Sequence, residues 1–427
     1  METAILVFVD VQGTSRLVGR LWGRLRKDRE SATFEYDKSW LAYPSRFSLE
    51  PALQLVAGPY HAGIDKPMFG AIGDSAPDRW GRVLMRRAER RRARGQRETP
   101  RTLREMDYLL MVDDETRQGA LRFAENADAP YLAATPGNRI PPLIELPRLL
   151  SASENVLSGE DTDEDLRLLL APGSSLGGAR PKASIRDRNG QLAIAKFPHK
   201  GDEINTVAWE AVALKLAKKA GIDIAPWRLE NAAGRPVLLV QRFDRQENQV
   251  RIPFLSAMSM LDARDNESRS YLEIADALLQ HGVEPNRDLA QLWRRIVFNI
   301  LISNTDDHLR NHGFLYVNSA GWRLSPAYDM NPVPTDLKPR VLSTAIDLDD
   351  ATASLEIAFE VAEYFRVDKT QARQIAAEVG KAVGRWRTEA RAFGVNAAEC
   401  DRMSTAFEHA DLKAATKSPR TFSARLA

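Results

Sequence analysis

The run Ile302–Phe314 (ISNTDDHLRNHGF) sets oxygen-bearing side chains at a spacing that suits phosphoryl transfer. Four residues separate Asp306 from Asn311, and Asp329 follows eighteen residues after Asn311, within Ser325–Pro332 (SPAYDMNP). Moving a phosphoryl group from a nucleoside triphosphate to a hydroxyl needs one carboxylate to accept or orient the hydroxyl proton. It also needs an amide and a second carboxylate to hold Mg²⁺ against the phosphates. Magnesium favours such hard oxygen ligands. On this chemistry Asp306 is the candidate base, and Asn311 and Asp329 are the candidate metal ligands. Asn, Asp and Gly are also ordinary loop residues, so this spacing alone is a weak signal. Its weight comes from four further features that precede it in order.

The first is Ser174–Lys182 (SSLGGARPK), where a glycine-bearing turn lets backbone N–H groups approach phosphate oxygens. The spacing differs from G-x-x-x-x-G-K-[ST], so it is not a P-loop. The second is Lys196, inside the apolar strand-like run AIAKFP. A lysine there is costly to bury without an anion, and the α- and β-phosphates of ATP would serve. The third is Glu210 on the following helix, placed to pair with Lys196 as the helix glutamate of kinases does, with Glu203 as the alternative. The fourth is Gln241–Arg245 (QRFDR), at the end of a strand where a nucleotide-binding hinge is expected. Backbone groups near Gln241 and Phe243 would read the adenine edge. His308 and His312 stand at i and i+4, a spacing that can chelate a metal on a helix. Leu309 occupies the place of the glutamate in H-E-x-x-H, so a zinc site is disfavoured and His308 reads as a structural or phosphate-adjacent loop residue.

Elements that would position these groups follow from periodicity. Ala4–Asp10 reads as a strand before a turn at Gly13, and Ala32–Tyr36 as another. Arg79–Arg94 reads as a helix, with Trp80, Val83, Leu84 and Ala88 at three- and four-residue steps. Asp107–Met111 extends the helical region. Ser151–Asp165 resembles a linker or surface loop, and Leu166–Leu170 a short helix stopped by Pro172. Ser184–Arg186 and Leu192–Phe197 flank the turn Asp187–Gly190 as a hairpin. Thr206–Ala220 is an amphipathic helix closed by Gly221, and Pro236–Arg242 a buried strand. Beyond it come helices at Tyr271–Gln280, Leu289–Ser303 and past Leu355. Strands first and helices second indicate an α+β, two-lobed protein.

Composition bounds the function classes. At about 100–200 residues per domain, 427 residues suggest two to four domains. Apolar residues at 44% and charged residues at 28% argue against global disorder. The lone cysteine, Cys400, rules out a disulfide framework and a cysteine zinc site, and points to a reducing, cytoplasmic location. Ile5–Val9 is too short for a signal-peptide core, and no stretch approaches the roughly 18 apolar residues of a membrane span. Secreted, membrane-spanning and fibrous classes are therefore disfavoured. The net charge of +2 says little, but its distribution is uneven. Ser75–Glu105 holds 11 arginines against four acids, centred on Arg86–Arg94 (RRAERRRAR), whereas Glu154–Asp165 holds six acids and no base. The arginine run suits nucleic-acid or phosphate contact. A solvated helix face whose arginines pair with nearby acids is the weightier reading.

Taken together, the pieces SSLGGARPKASI, AIAKF, WEAVALKLAKKAGI, LLVQRFDR, ISNTDDHLRNHGF and SPAYDMNP resemble, in order, the HipA family of serine/threonine kinases. These are the toxin halves of bacterial toxin–antitoxin pairs. VGRL (Val18–Leu21), FEYDKSWL (Phe34–Leu41), GDSAPDRWGR (Gly73–Arg82) and DDETRQGALRF (Asp113–Phe123) resemble the family's accessory domain. The resemblance implies a two-lobed, protein-kinase-like α+β fold: a β-rich N-terminal accessory domain over 1–125, a small lobe over 126–245 and a helical C-terminal lobe over 246–427. It implies ATP and Mg²⁺ as cofactors, Asp306 as catalytic aspartate, and Asn311 and Asp329 as metal ligands. ATP contacts would come from Gly177, Gly178, Ala179, Arg180, Pro181, Lys182, Lys196, Gln241, Arg242, Phe243, His308, Asn311 and Asp329. Ser175, with Ser174 as second candidate, matches a serine that such kinases phosphorylate in themselves, silencing the enzyme. The family loop usually reads closer to G-A-Q-E-K. Here Arg180 and Pro181 depart from it, and Pro181 removes a backbone donor. Gln241 stands where glutamate is common. The implied partners are a small helix-turn-helix antitoxin of the HipB type and, through it, operator DNA, with no membrane. A glutamyl-tRNA synthetase, phosphorylated by the best-studied relatives to stop translation and growth, is the expected substrate. Two other readings stand beside this one: a catalytically weak kinase fold acting as co-repressor with such an antitoxin, and a small-molecule or lipid kinase.

Overall fold

The computed structural model describes residues 2–63, 66–134, 140–173, 178, 180–318 and 321–416. The chain forms two compact units. One comprises Met1–Gly201, Trp227–Arg264 and Leu315–Ser319, and the other Asp202–Pro226, Asp265–Phe314 and Ala320–Ala427.

The first unit is built on two antiparallel sheets. In β1 (Glu2–Val11) Ile5, Val7 and Val9 alternate into the core, the period-2 pattern of a half-buried strand. Gln12 and Gly13 both take positive φ, which closes a two-residue hairpin into β2 (Thr14–Arg26). With β3 (Arg29–Tyr36), β4 (Pro59–His61) and β5 (Leu121–Ala124), these strands run in the order β4-β3-β2-β1-β5. Sequence periodicity shows β1 and β3 but not β2. Arg20, Arg24 and Arg26 face outward beside Trp22, and two of its inward positions are glycines, Gly19 and Gly23, so apolar alternation is thin. The glycines are there for room: a Cβ on Gly23 would stand 2.3 Å from the Met106 side chain.

The second sheet holds β6 (Lys182–Arg186), β7 (Leu192–Lys196), β8 (Trp227–Ala232) and β9 (Arg235–Gln241) in the order β6-β7-β9-β8. The hairpin expected around Asp187–Gly190 joins β6 and β7. Ala183, Ile185, Ala195, Phe197 and Leu239 share one core with Trp80 and Leu84 of the helix Arg79–Gln96. That core also takes in Leu149, Leu150, Val156, Leu166 and Leu169. The segment expected to be a linker, Ser151–Asp165, is therefore corrected. It is mostly helical, within the helices Leu146–Ser158 and Asp163–Gly173. Leu149, Leu150, Ala152, Ser153 and Val156 make a buried helical stripe, and the acids that suggested a loop have specific partners. Asp161 is buried and pairs with Arg87 and, at 3.1 Å, with Arg91, which also reaches Asp163 at 2.8 Å. The acidic segment thus neutralises one flank of the arginine run. The short helix expected at Leu166–Leu170 begins three residues earlier, where Asp163, Glu164 and Asp165 suit the positive helix start, and it continues through Pro172.

Lys182 and Lys196 are directly opposed in register across β6 and β7. Like charges so placed repel, and Asp78 takes up the buried Lys182 charge at 3.1 Å. Asp78 also caps the Arg79–Gln96 helix through the Gly81 N–H at 2.8 Å. Burial raises its carboxyl pKa, with Lys182 and these N–H groups opposing.

In the second unit the helix Pro285–Ile302 is buried over most of its length, with Leu289, Leu292, Trp293, Ile296, Val297 and Ile300 fully enclosed. The helix Thr206–Lys219, closed by Gly221 at φ +75° as its sequence suggests, packs within this unit. Trp209 on it lies against Trp386 and Phe407, and its indole N–H donates to Glu399 at 2.9 Å. Among the described residues no helix is long and apolar enough to cross a membrane.

Asp78→Asn keeps the helix cap but strands the Lys182 charge. It is expected to cost about 3–5 kcal/mol, read by urea denaturation, and the double variant Asp78→Asn/Lys182→Met should recover most of that loss.

Candidate active site

The helix Pro285–Ile302 ends because Ser303 turns left-handed, at φ +53°. Its N–H donates to Ile300 O at 3.3 Å, and the Asn304 N–H to Asn299 O at 2.9 Å. The chain then reverses and leaves Asp306 exposed at the surface of the second unit. Three bonds fold this loop onto itself. The His308 N–H donates to Asp306 O at 2.9 Å, the Asn311 N–H to His308 O at 2.8 Å, and the Asn311 side-chain amide to Asp306 O at 3.0 Å. The Asn311 nitrogen is thereby engaged, which leaves its oxygen as the group a cation would meet. Lys338 Nζ stands 3.4 Å from Asp306 Oδ1.

Beneath the loop lies Asp307, buried at 3% exposure. One oxygen, Oδ2, accepts from the Tyr271 hydroxyl at 2.5 Å, the Asn299 amide at 2.7 Å and His312 Nε2 at 2.8 Å. Its carbonyl accepts from the Thr344 hydroxyl at 2.7 Å. Burial works to raise the Asp307 pKa, but attraction to His312 and the bonds from His312 and Tyr271 outweigh it and hold the carboxylate below its ordinary range. Tyr271 moves the other way. Burial and then the Asp307 charge push its hydroxyl well above the usual value, so it remains a donor.

Asp329 sits on a neighbouring segment in a left-handed conformation, φ +57°, which a non-glycine residue adopts only when its surroundings enforce it. Those surroundings are visible. The Tyr328 hydroxyl donates to Arg310 O at 2.7 Å, joining the residues beside Asp329 and Asn311. The Ser325 N–H donates to Gly313 O at 2.8 Å, and the Ala327 N–H to Asp223 O at 2.8 Å. Arg295, fully buried on the Pro285–Ile302 helix, donates to Ser325 O at 2.6 Å. The Asn331 side chain reaches Asp329 Oδ1 at 3.4 Å, and its N–H donates to Asn304 Oδ1 at 3.2 Å. The segments carrying Asp306, Asn311 and Asp329 are thus tied together in one unit.

The other candidates are distributed as follows. Lys196 is half-buried at the end of β7 in the first unit, and Glu210 is buried on the Thr206–Lys219 helix of the second. Gln241 ends β9, and its amide bonds to Gln191. The Arg242 side chain is buried and engaged by Asp244 at 2.8 Å and by the carbonyls of Thr116 and Arg117, which leaves only its backbone for a ligand. Phe243 lies near Phe254, ring centroids 6.3 Å apart. Gly178 takes φ +102°, open in practice to glycine alone, Arg180 is exposed, and Pro181 is buried. Gly177, Ala179, Ser174 and Ser175 lie outside the described residues. His308 is half-buried, and the His312 ring is engaged by Asp307.

Two family models match this chain: the HipA N-terminal domain over residues 14–123 and the HipA-like C-terminal domain over residues 174–386. The chain belongs to the HipA family. A relative from Sinorhizobium fredii (strain NBRC 101917 / NGR234), named "Putative kinase Y4mE", is 26% identical over 358 residues, 76% of this chain and 78% of its own. One from Haemophilus influenzae, named "Putative kinase", is 30% identical over 142 residues, 29% of this chain and 41% of its own. A solved structure of the Shewanella oneidensis MR-1 toxin–antitoxin system, HipA and HipB with operator DNA, matches with a TM-score of 0.65. That match covers 96% of each chain at 16% identity, and it shows the HipA fold.

Within this HipA-family site, motif reasoning passed over Asp307, Tyr271, Asn299 and Lys338. A faint signal existed for the first three. An interior helix face carrying Asn299, followed by a second acid and His312, places more polar groups near the loop than solvation explains. Lys338 carried no such mark.

A last support is His409. Its Nε2–H donates to Leu301 O at 3.2 Å, and its Nδ1 accepts the Leu412 N–H at 3.4 Å. Arg340 beside it bonds Ile300 O and Ser303 Oγ, both at 3.1 Å, and pairs with Asp411 at 2.8 Å. Burial and the Arg340 charge push the His409 pKa down to about 4, with Asp411 opposing.

Two outcomes follow. The unfolded chain protonates His409 below about pH 6.5 while the folded one resists until about pH 4, so stability falls as pH drops through that window. The loss should reach about 3 kcal/mol and flatten in His409→Gln, measured by denaturant titrations across pH. Asp307→Ala leaves three donors unanswered and should cost about 3–5 kcal/mol by calorimetry or denaturation.

Proposed function

We propose that this HipA-family chain is an ATP- and Mg²⁺-dependent serine/threonine protein kinase, the toxin half of a toxin–antitoxin pair. The observation that carries the reading is the exposed Asp306 carboxylate beside Lys338, on a loop bonded through Tyr328 and Arg310 to the segment of Asp329. Asp306 accepts the proton of the incoming hydroxyl. Lys338 supplies positive charge where charge develops during transfer. The Asn311 amide oxygen and the Asp329 carboxylate are hard donors of the kind Mg²⁺ takes, so the residues fit that ion. When bound, Mg²⁺ neutralises phosphate charge. In the first unit Lys196 is the candidate for the α- and β-phosphates, the segment 177–182 for the phosphate cradle, and the backbone of Gln241–Phe243 for adenine.

Ser175, or Ser174 beside it, is the proposed site of self-phosphorylation. The proposed partners are a helix-turn-helix antitoxin of the HipB type and, with it, operator DNA, as in the Shewanella complex. The proposed substrate is a glutamyl-tRNA synthetase in the cytoplasm, and its phosphorylation would halt translation. The accessory domain would span 1–125, the small lobe 126–245 and the large lobe 246–427.

Incubation with ATP and Mg²⁺ should place phosphate on Ser174 or Ser175, read by mass spectrometry. Asp306→Gln should slow incorporation by about 100-fold or more, and Asp329→Ala or EDTA should abolish it. Equal incorporation by wild type and Asp306→Gln would falsify the assignment of the base.

A further inference from the structure

The segment DDETRQG (113–119) has no role in the kinase reading, yet in the first unit it grips the chain that leaves β9. Asp113 shapes it as a turn. The Asp113 carboxylate accepts the Thr116 N–H at 3.0 Å, and its carbonyl accepts the Arg117 N–H at 3.0 Å. Arg117 is fully buried and fastens the turn in place, donating to Val112 O at 2.8 Å, Leu109 O at 3.0 Å and Ser75 O at 3.1 Å. On the other side, the sheet holds the chain past β9 at Arg242, whose N–H donates to Leu192 O at 3.1 Å. The residues that follow leave the ladder and are bonded to the turn by side chains. Arg242 donates to Thr116 O and, at 3.2 Å, to Arg117 O. Arg245 donates to Arg117 O at 2.6 Å, Gly119 O at 3.1 Å and Glu115 O at 3.2 Å. Asp244, buried between them, accepts from Arg242 at 2.8 Å, from Arg245 at 2.9 Å and from the Gly119 N–H at 2.8 Å. Gly119 takes φ +72°, and a Cβ on it would stand 3.2 Å from the Phe254 nitrogen, so only glycine lets the turn come this close.

We propose that this turn is a clamp on the nucleotide hinge, with Asp244 as the positioning residue that, through Arg242 and Arg245, fixes the Gln241–Phe243 backbone where adenine is read. The inference deepens the kinase reading and rests on it. Main-chain groups that recognise a base cannot be aimed by rotating a side chain, so their placement has to come from what holds the backbone. Asp244 is the residue next to Phe243. Its two arginine partners are planar forks that pass its charge on to main-chain carbonyls, and charged hydrogen bonds of this kind are strong in a dry interior. A second path joins the same places: Gly119 abuts Phe254, whose ring lies 6.3 Å from that of Phe243. Stability alone does not call for such a network. The sheet already shares an apolar core with Trp80 and Leu84, and apolar packing generally replaces buried ion pairs without loss. Buried ionic groups bring a fixed register instead, which a hinge needs.

Two measurements on the full-length protein test this. Hydrogen exchange without nucleotide, read by mass spectrometry over residues 113–119 and 242–252, reports the clamp itself. Titration with a fluorescent ribose-labelled ATP analogue and Mg²⁺ reports its consequence. Asp244→Asn removes the charge between the arginines, and Gly119→Ala pushes the turn away without touching an ion pair. Both variants should exchange faster in both segments. Both should bind the analogue about 10-fold more weakly, the worth of one or two misplaced hydrogen bonds, while phosphate incorporation at saturating ATP returns to the wild-type rate. Circular dichroism should show them folded, and Gly119→Ala carries the test alone if Asp244→Asn does not fold. The control Asp161→Asn takes a different buried carboxylate from the first unit, the partner of Arg87 and Arg91, and should leave exchange in these segments and affinity unchanged. Unchanged exchange overturns the clamp. Faster exchange with unchanged affinity, or an equal loss of affinity in Asp161→Asn, reduces the network to a structural one and overturns the proposal. A wild type that binds no nucleotide while the exchange effects hold overturns it through the kinase reading instead, with the clamp intact.

Discussion

The site depends on one buried carboxylate oxygen. Asp307 Oδ2 takes hydrogen bonds from Tyr271, 36 residues earlier on the helix Tyr271–His281, from the helix that leads into the loop (Asn299) and from the strand start that leaves it (His312). Charge in a low-dielectric interior makes each of these bonds strong and makes the loss of any one expensive. The loop is therefore held from three sides at the residue next to the candidate base, and Asp306 is left to project outward with no packing of its own. An exposed group that is to hold a fixed position needs a rigid support, and for the candidate base the adjacent residue supplies it.

The support extends through backbone strain. Ser303 and Asp329 both take left-handed conformations, each worth about 1–3 kcal/mol of unfavourable energy. Ser303 is held by the Arg340 side chain and by its own hydroxyl, which donates to Ala406 O at 2.8 Å. Asp329 is held by the bonds of Tyr328, Ala327 and Ser325 on one side and of Asn331 on the other. Both strained residues flank the candidate chemistry, where fixed geometry matters most.

The chain showed its site more plainly than the scaffold beneath it. Asp306, Asn311 and Asp329 stood out as candidates because their residue types and spacing suit phosphoryl transfer, and the structure ties together the segments that carry them. The helix Arg79–Gln96 and the β6–β7 hairpin were legible because period and turn chemistry agree there. Asp307 was not, because its role is defined by donors gathered from Tyr271, Asn299 and His312, and no local pattern encodes a tertiary hydrogen bond. Strand β2 was obscured by arginines on its outer face and by glycines that exist to admit Met106 and the β3 backbone. The segment Ser151–Asp165 misled for the opposite reason. Its acids looked like a solvated loop, yet Asp161 is an internal counter-charge whose partners, Arg87 and Arg91, lie some seventy residues earlier.

That last case explains why charge runs are hard to read from sequence. A run of arginines and a distant run of acids cancel only where the fold brings particular members together. Helical geometry decides which members those are. Arg87 and Arg91, four residues apart, share the flank that meets Asp161, and Arg92 turns back to Glu89 on the helix itself. Arg90 and Arg94, each three residues on from Arg87 and Arg91, take no ion pair among the described residues. Neutralisation of one flank lets the helix pack, since a buried face cannot carry unpaired charge.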